Sequence, residues 1–264
     1  MLLKNAVAMI THPTGAIGRS IAIAFALEGA HVVVSGRESS PAILGRMADE
    51  IREQGGDLLA VRGDVARADG IADVLQAFGR IDALVNTVGI GHTAAVEAIP
   101  DAEWDDVLRV NLKHAFLCAR AVLPYMKAQR AGAILNVSSG LDGSGRTGVL
   151  ERTSNGALHA LTKSLAIEGG PYGVRANALR SGPIQTDMSE ATLPEDRSRF
   201  VESAIPLGRL GRPEDLAGAA VFLCSNLASF ITGEVLGVDG GCPFLRPVAV
   251  SEGASPTVPG SRGK

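Results

Sequence analysis

The sequence predicts a doubly wound α/β domain, in which helices cover both faces of a single parallel β-sheet. Short runs of Val, Ile, Leu and Ala recur along the chain, and longer segments with helical spacing separate them. Strands that are buried on both faces form such continuous apolar runs, and regular alternation of strands with helices is typical of parallel sheets. With 264 residues, of which 46% are hydrophobic, the chain has enough apolar material for one such domain.

The elements follow one another in a regular order. The predicted strands are Ala6–Ile10, Val32–Val34, Leu58–Val61, Ala83–Val85, Ile134–Val137, Val174–Ala178 and Val235–Val238. The predicted helices are Ile17–Leu27, a polar segment ending near Gln54, Ile71–Phe78, Trp104–Met126, Leu150–Glu168 and Pro213–Cys224. We expect residues 1–245 to form one domain. The tail 246–264 is rich in Pro, Gly and Ser, and we expect it to be mostly disordered or to lie along a partner subunit.

Composition and charge argue against several classes of function. The formal net charge is −3 and the basic residues are scattered, which argues against nucleic-acid binding. No apolar run approaches the roughly 20 residues that span a membrane. The three cysteines lie far apart without a C-x-x-C pair, which argues against a disulfide framework and a metal site. A cytoplasmic protein that binds a small molecule is the expectation.

The predicted functional region runs from the strand Ile134–Val137 into the helix that follows it. Ligands of open α/β sheets bind at the carboxyl ends of the strands, where Ser138 and Ser139 lie. The first turn of the next helix faces them and contains Glu151, Arg152 and Asn155.

Several motifs occur in a fixed order over nearly the whole chain. They are Gly63-Asp64-Val65, Asn86 with Gly89, Val110-Asn111-Leu112, Asn136-Val137-Ser138-Ser139, Leu161-Thr162-Lys163-Ser164-Leu165-Ala166, Gly182-Pro183-Ile184, Thr186-Asp187-Met188 and Val238-Asp239-Gly240-Gly241. With them the sequence resembles the classical short-chain dehydrogenase/reductase family from Ala6 to about Phe244. This resemblance implies a Rossmann-like fold, hydride transfer between NAD(P)H and a carbonyl or alcohol, and frequent assembly into tetramers through two long helices.

The family's catalytic pair is missing from its expected place. The resemblance implies a Tyr that passes a proton to the substrate and a Lys four residues later, together with a Ser and an Asn that correspond to the Ser138/Ser139 pair and Asn111. Alignment on Leu161–Ala166 puts Glu151 and Asn155 at the Tyr and Lys positions, whereas the usual spacing from Ser139 gives Arg152 and Gly156. The loop is one residue short, so the alignment leaves open which serine faces the substrate. A carboxylate with an ordinary pKa near 4 cannot donate a proton at pH 7.

The cofactor motif is also altered. The family pattern T-G-x-x-x-G-x-G aligns with Thr11, His12, Ala16 and Gly18, so that two of its three glycines are replaced. Gly15 offers a shifted turn, and Ser181 replaces the proline near the family's nicotinamide site. Arg37 favours the 2′-phosphate of NADP. The resemblance therefore leaves NADP(H) as a candidate cofactor, with the candidate residues Thr11, Gly15, Ile17, Gly18, Arg37, Asp64, Val65, Asn86, Gly89 and Thr186.

Three functions remain open from the sequence. The first is a non-redox enzyme, such as a dehydratase, isomerase, cyclase or lyase, in which Glu151 acts as acid or base on a small oxygenated metabolite. Arg152 and Asn155 would assist it, and the alternative interpretation of Glu151 is a carboxylate favoured by the helix dipole. The second is an NADP(H)-dependent oxidoreductase with an altered proton relay. The third is a catalytically silent partner subunit. A homo-oligomer, either a dimer or a tetramer, is expected in each case.

Overall fold

The computed structural model describes residues 1–35, 41–54, 57–61, 68–87, 89–91, 94–139, 148–186 and 205–242. Its seven strands are β1 (Val7–Thr11), β2 (His31–Ser35), β3 (Asp57–Val61), β4 (Ala83–Asn86), β5 (Gly132–Ser139), β6 (Val174–Ser181) and β7 (Val235–Val238). They form one parallel sheet in the order β3-β2-β1-β4-β5-β6-β7. The predicted doubly wound α/β fold is therefore confirmed.

Helices cover both faces of the sheet. They are α1 (Ala16–Leu27), α2 (Pro41–Glu53), α3 (Ala68–Phe78), α4 (Asp101–Leu108), α5 (His114–Gln129), α6 (Val149–Gly169) and α7 (Pro213–Cys224). Short 3-10 turns lie at Val96–Ala98, Gly170–Tyr172 and Asn226–Ala228. None of the helices in the described ranges is both long and apolar enough to cross a membrane.

Alternate residues of the central strands supply two separate cores. On one face, Ile10 and Leu135 join Phe25 of α1 and Ala220 of α7 in one buried cluster. On the other, neighbouring strand residues such as Met9 and Ile134 pack with residues of α3, α5 and α6. Successive strand side chains point to opposite faces, so a strand covered on both sides must be apolar throughout. This requirement produces the continuous runs seen in the sequence.

The order of the strands reverses between β1 and β4. The chain builds β1, β2 and β3 in one direction and then returns to place β4 on the other side of β1. In such sheets the ligand crevice lies at this switch point, outside the carboxyl ends of the strands. Thr11 and Thr87 join the two strand ends, because the Thr87 amide donates to Thr11 Oγ1 over 3.1 Å and the Thr87 hydroxyl donates to the Thr11 carbonyl.

The predicted single helix over Trp104–Met126 is wrong in one respect. The structure has α4, then one wider π-helical turn over Arg109–Lys113, and then α5. Asn111 lies in this turn, and its side chain bonds the backbone of Ile90 both as donor and as acceptor. Single π turns of this kind occur frequently at functional sites, and they leave no simple trace in hydrophobic spacing. The predicted tail at 246–264 lies outside the described residues.

Candidate active site

A cavity of about 390 Å³ lies at the carboxyl ends of the central strands, next to the switch point. Its walls come from the start of α1, the segment after β4, the π turn, the end of β5 and the first three turns of α6, together with the end of β6 and the residues that follow it up to Thr186. Eight of the predicted site residues line it: Ile17, Gly89, Asn111, Ser138, Ser139, Glu151, Asn155 and Thr186. The fold therefore brings together residues that are as much as 169 positions apart, from 17 to 186.

The two serines that end β5 have different surroundings. Ser138 is 2% exposed, and its hydroxyl contacts His159 Nε2 at 2.9 Å and the Leu179 carbonyl at 3.2 Å. Ser139 is exposed, and its backbone carbonyl accepts a hydrogen bond from Asn155 Nδ2 at 2.9 Å. The pleat of the strand turns consecutive side chains to opposite faces. The hydroxyl of Ser139 is therefore the more accessible of the two from the cavity.

In the first turns of α6, the residues of the two sequence alignments lie on different sides of the helix. Glu151 and Asn155 line the cavity, whereas Arg152 and Gly156 are exposed on the outer side of the helix and do not line it. Glu151 lies opposite Gly91, because a methyl group added to Gly91 would lie 3.5 Å from Glu151 Oε2. Among the described residues that line the cavity, Glu151 alone is formally charged.

Among the described residues that line the cavity there is neither a tyrosine nor a lysine. The chain has two tyrosines, Tyr125 on α5 and Tyr172 after α6, and neither lines the cavity. Both are 41% exposed. Lys163, which lies on α6 two turns after Asn155, is also exposed and outside the cavity wall.

Asn111 fastens one wall of the cavity to α6. Its Oδ1 accepts from the Ile90 amide at 2.8 Å, and its Nδ2 donates to the Ile90 carbonyl at 2.9 Å. The same amide nitrogen lies 3.0 Å from Ser154 Oγ on α6. The Asn111 side chain is 5% exposed, so these bonds are shielded from water. Asn111 thus fixes the segment after β4 against the helix that carries Glu151 and Asn155.

The turn between β1 and α1 accommodates the residues that depart from the glycine pattern. His12 adopts a left-handed backbone conformation with φ of 49°, and its side chain is exposed. Gly18 packs closely, since an added Cβ would lie 2.6 Å from the His12 carbonyl oxygen. Gly15 is the N-cap of α1, with neither a side-chain capping bond nor an acidic residue in the first turn. The first amides of α1 therefore suit a phosphate group.

The other predicted cofactor residues divide into two groups. Thr11 and Asn86 are buried in strand-end hydrogen bonds, Thr11 with Thr87 and Asn86 with Asn136 Oδ1 at 2.9 Å, and neither lines the cavity. Arg37, Asp64 and Val65 lie outside the described residues.

His159 is a site residue that the sequence analysis missed. It lies on α6 four residues after Asn155 and eight after Glu151, which places it on the same side of the helix. That spacing was the available signal. Burial lowers the pKa of His159, and the positive charges of Arg180 and Lys163 lower it further. Arg180 itself forms an ion pair with Asp239 at 2.9 Å.

The lowered pKa of His159 predicts a pH dependence of stability. Because the folded state binds this proton less well than the unfolded state, the free energy of unfolding is expected to fall as pH drops below about 6.5. Above that pH the contribution is constant. Urea denaturation between about pH 8 and pH 5 will measure it. The decline should be smaller in His159→Gln, and an identical decline in both proteins would contradict the assignment.

Comparisons with known proteins agree with this geometry. A family model described as enoyl-(acyl carrier protein) reductase matches residues 14–243. The 3-oxoacyl-[acyl-carrier-protein] reductase FabG of Thermotoga maritima is 37% identical over 246 residues, which cover 91% of this chain and 99% of that protein. A (2S)-[(R)-hydroxy(phenyl)methyl]succinyl-CoA dehydrogenase subunit of Thauera aromatica is 36% identical, with coverage of 91% and 98%.

Solved structures give the same result. The 3-oxoacyl-[acyl-carrier protein] reductase of Brucella melitensis has a TM-score of 0.82 and 31% identity, and 93% of each chain is covered. A Beutenbergia cavernae protein provisionally assigned as an NAD(P)-dependent gluconate 5-dehydrogenase has a TM-score of 0.81 and 38% identity. Coverage is 90% of this chain and 97% of that one, whose structure holds NADP at low occupancy.

These relatives correct one prediction from the sequence. Non-redox chemistry was the first function considered, and it is wrong, because relatives at 36–37% identity over nearly the whole chain are named as reductases and dehydrogenases. The prediction gave too much weight to the altered residues at 151 and 155 and too little to the surrounding scaffold. The relatives also support NADP(H) as the cofactor. From its fold, its cavity and its relatives, the chain belongs to the classical short-chain dehydrogenase/reductase family.

Proposed function

We propose that the protein is an NADP(H)-dependent oxidoreductase that interconverts an alcohol and a carbonyl group on a small oxygenated metabolite. The observation that carries this proposal is the cavity at the switch point of the sheet, which lies against both α1 and the serines of β5. A proton path without the family's tyrosine is part of the proposal, because Glu151 and Asn155 occupy the corresponding positions of the cavity wall.

The residues of the chain suit the cofactor. The first amides of α1 would hold the pyrophosphate, and the cavity next to Ile17, Gly89 and Thr186 would receive the nicotinamide. When bound, this group supplies or accepts a hydride. The cavity wall at Ser138, Ser139 and Asn155 would then receive the oxygen of the substrate, since all three residues line the cavity.

The same arrangement favours neutral, hydroxylated substrates. Glu151 is the charged residue of the described cavity wall, and an anionic group in this small space would lie close to its carboxyl group. Hydroxyl groups of a substrate can instead donate to it. We also propose a cytoplasmic homo-oligomer, either a dimer or a tetramer. Apolar residues exposed along α5 and α6, such as Phe116 at 43% and Ile167 at 80%, support the assembly.

Saturable NADPH binding in the micromolar range is the expected result of a fluorescence or thermal-shift titration. Ala16→Glu should weaken it about 10-fold or more, because it places a negative charge at the phosphate-binding end of α1. Ala24→Glu makes the same change two turns further along this helix and should alter binding less than about 2-fold. Absence of binding up to millimolar NADPH would refute the proposed function.

Turnover is then sought with a panel of aldehydes, ketones and polyols. NADPH consumption with the carbonyl compounds and NADP⁺ reduction with the alcohols would support the assignment. A protein that binds NADPH and turns over none of these compounds would contradict the assignment of the substrate class.

A further inference from the structure

We propose that Ser138 and His159 form the proton path of this enzyme, in which His159 receives the proton of the substrate alcohol through the Ser138 hydroxyl. The inference rests on the proposed function and deepens it. It assigns a role to a serine–histidine contact that the family's tyrosine mechanism does not use.

The contact between Ser138 and His159 connects the cavity wall to a partly buried residue of α6. Ser138 lines the cavity, and its Oγ lies 2.9 Å from His159 Nε2. Among the described residues, His159 does not line the cavity, and its contact with the Ser138 hydroxyl connects it to the cavity wall. Ser138 Oγ therefore lies between the space for the substrate and the ionisable ring of His159.

The tautomer of His159 decides which group accepts the proton of the Ser138 hydroxyl. Ser138 has one proton to donate and two acceptors near it, His159 Nε2 at 2.9 Å and the Leu179 carbonyl oxygen at 3.2 Å. Hydrogen bonds from a hydroxyl to an oxygen are normally about 2.7–2.8 Å long, so the contact with Leu179 is a weak one. The proposed path requires the tautomer in which Nε2 is unprotonated, so that the Ser138 hydroxyl donates to it.

The surroundings of the imidazole ring keep His159 able to accept a proton. Burial disfavours the imidazolium, and the positive charges of Arg180 on β6 and Lys163 on the same helix act in the same direction, so that the pKa of His159 lies below its ordinary value. Asp239, after β7, pairs with Arg180 and offsets part of that charge. At neutral pH the ring is accordingly the neutral base that alcohol oxidation requires.

Oxidation of the alcohol would release one hydride and one proton. The hydride on the alcohol carbon would pass to the oxidised nicotinamide dinucleotide, and the C–O bond would become a carbonyl. The hydroxyl proton of the alcohol passes to Ser138 Oγ while the proton of Ser138 passes to His159 Nε2. The serine ends unchanged, and the imidazolium returns its proton to solvent. Reduction of a carbonyl follows the same path in reverse and starts from the imidazolium.

Kinetics of His159→Gln distinguish this path from a structural role. Glutamine can keep a hydrogen bond to Ser138 but cannot accept a proton, so kcat for alcohol oxidation should fall about 10²-fold with little change in KM. The acidic limb of the pH profile that His159 produces should disappear. His114→Gln changes a partly buried histidine on α5 outside the cavity and should leave both quantities unchanged. Wild-type kcat and pH profile in His159→Gln would overturn the proposal.

The tautomer of His159 gives a test that needs neither cofactor nor substrate. Nitrogen-15 NMR of the free protein above the pKa of His159 should show Nε2 unprotonated and the proton on Nδ1. Ser138→Ala should shift this ring toward the Nε2–H form, because the hydroxyl donor is gone. A ring with Nε2–H in the unsubstituted protein would overturn the proton path alone. Failure to bind NADPH would instead refute the proposed function, so the two failures are distinguishable.

Discussion

Carbonyl reduction is expected to rise about 10³-fold when Glu151→Tyr and Asn155→Lys are combined, because the pair restores a neutral proton donor and a cation in the cavity wall. Both positions line the cavity on successive turns of α6. A phenol at 151 can donate to a carbonyl oxygen at neutral pH, and an ammonium at 155 lowers the pKa of that phenol. The measurement is kcat for NADPH oxidation with ketones from the panel.

The second alignment of the sequence supplies the control. Arg152→Tyr with Gly156→Lys introduces the same two side chains one position further along α6, where both residues are exposed and outside the cavity. This pair should leave carbonyl reduction within about 2-fold of the unsubstituted protein. An equal rise in both variants, or none in the first despite retained NADPH binding, would show that position 151 does not face the substrate.

A loss of about 3 kcal/mol in the free energy of unfolding is expected for Asn136→Leu. Asn136 is fully buried in β5, accepts from Asn86 Nδ2 at 2.9 Å and donates to Thr162 Oγ1 at 2.9 Å. Within the described part of the chain Asn86 Oδ1 has no hydrogen-bond partner. The substitution would therefore leave the whole Asn86 amide buried and unpaired. Urea denaturation measures the loss.

The double substitution Asn86→Leu with Asn136→Leu tests that reason. Removing both partners of a buried hydrogen bond costs less than removing one, because no polar group is then left unpaired. The double variant should be more stable than the sum of the two single losses by about 1 kcal/mol or more. Strict additivity would show that the loss comes from packing and not from the orphaned amide.

The fold could be predicted from the sequence because the apolar runs, the helical spacing and the order of the motifs all indicate the same architecture. The apolar runs of β1, β2 and β5 are required by burial on both faces, and the polar residues that end them fall at one edge of the sheet. The π turn at Asn111 could not be predicted, since a single extra residue in a helical turn barely changes the spacing of the apolar positions.

The site was predicted in part. Its location and eight of its lining residues followed from the strand ends and the family motifs, although their roles stay predictions. His159 was missed because its role depends on a contact with Ser138, which lies 21 positions earlier in the chain. The spacing along α6 shows which side of the helix His159 faces but does not show this contact. The function was misjudged because a motif was interpreted residue by residue, whereas hydride transfer depends first on a scaffold that holds cofactor and substrate together.

The pleat at the end of β5 has a consequence for changes of length in this chain. Ser138 faces α6 and Ser139 the opposite side, so inserting or deleting one residue within β5 would exchange them and also turn Asn136 away from Thr162. Strand β5 pairs with β4 over Ala133–Asn136 and with β6 over its full length, so such a slip would break the register with both neighbours. Gain or loss of a residue between Ser139 and Gly148, beyond the end of β5, would instead leave the pairing of Ser138 with His159 in register.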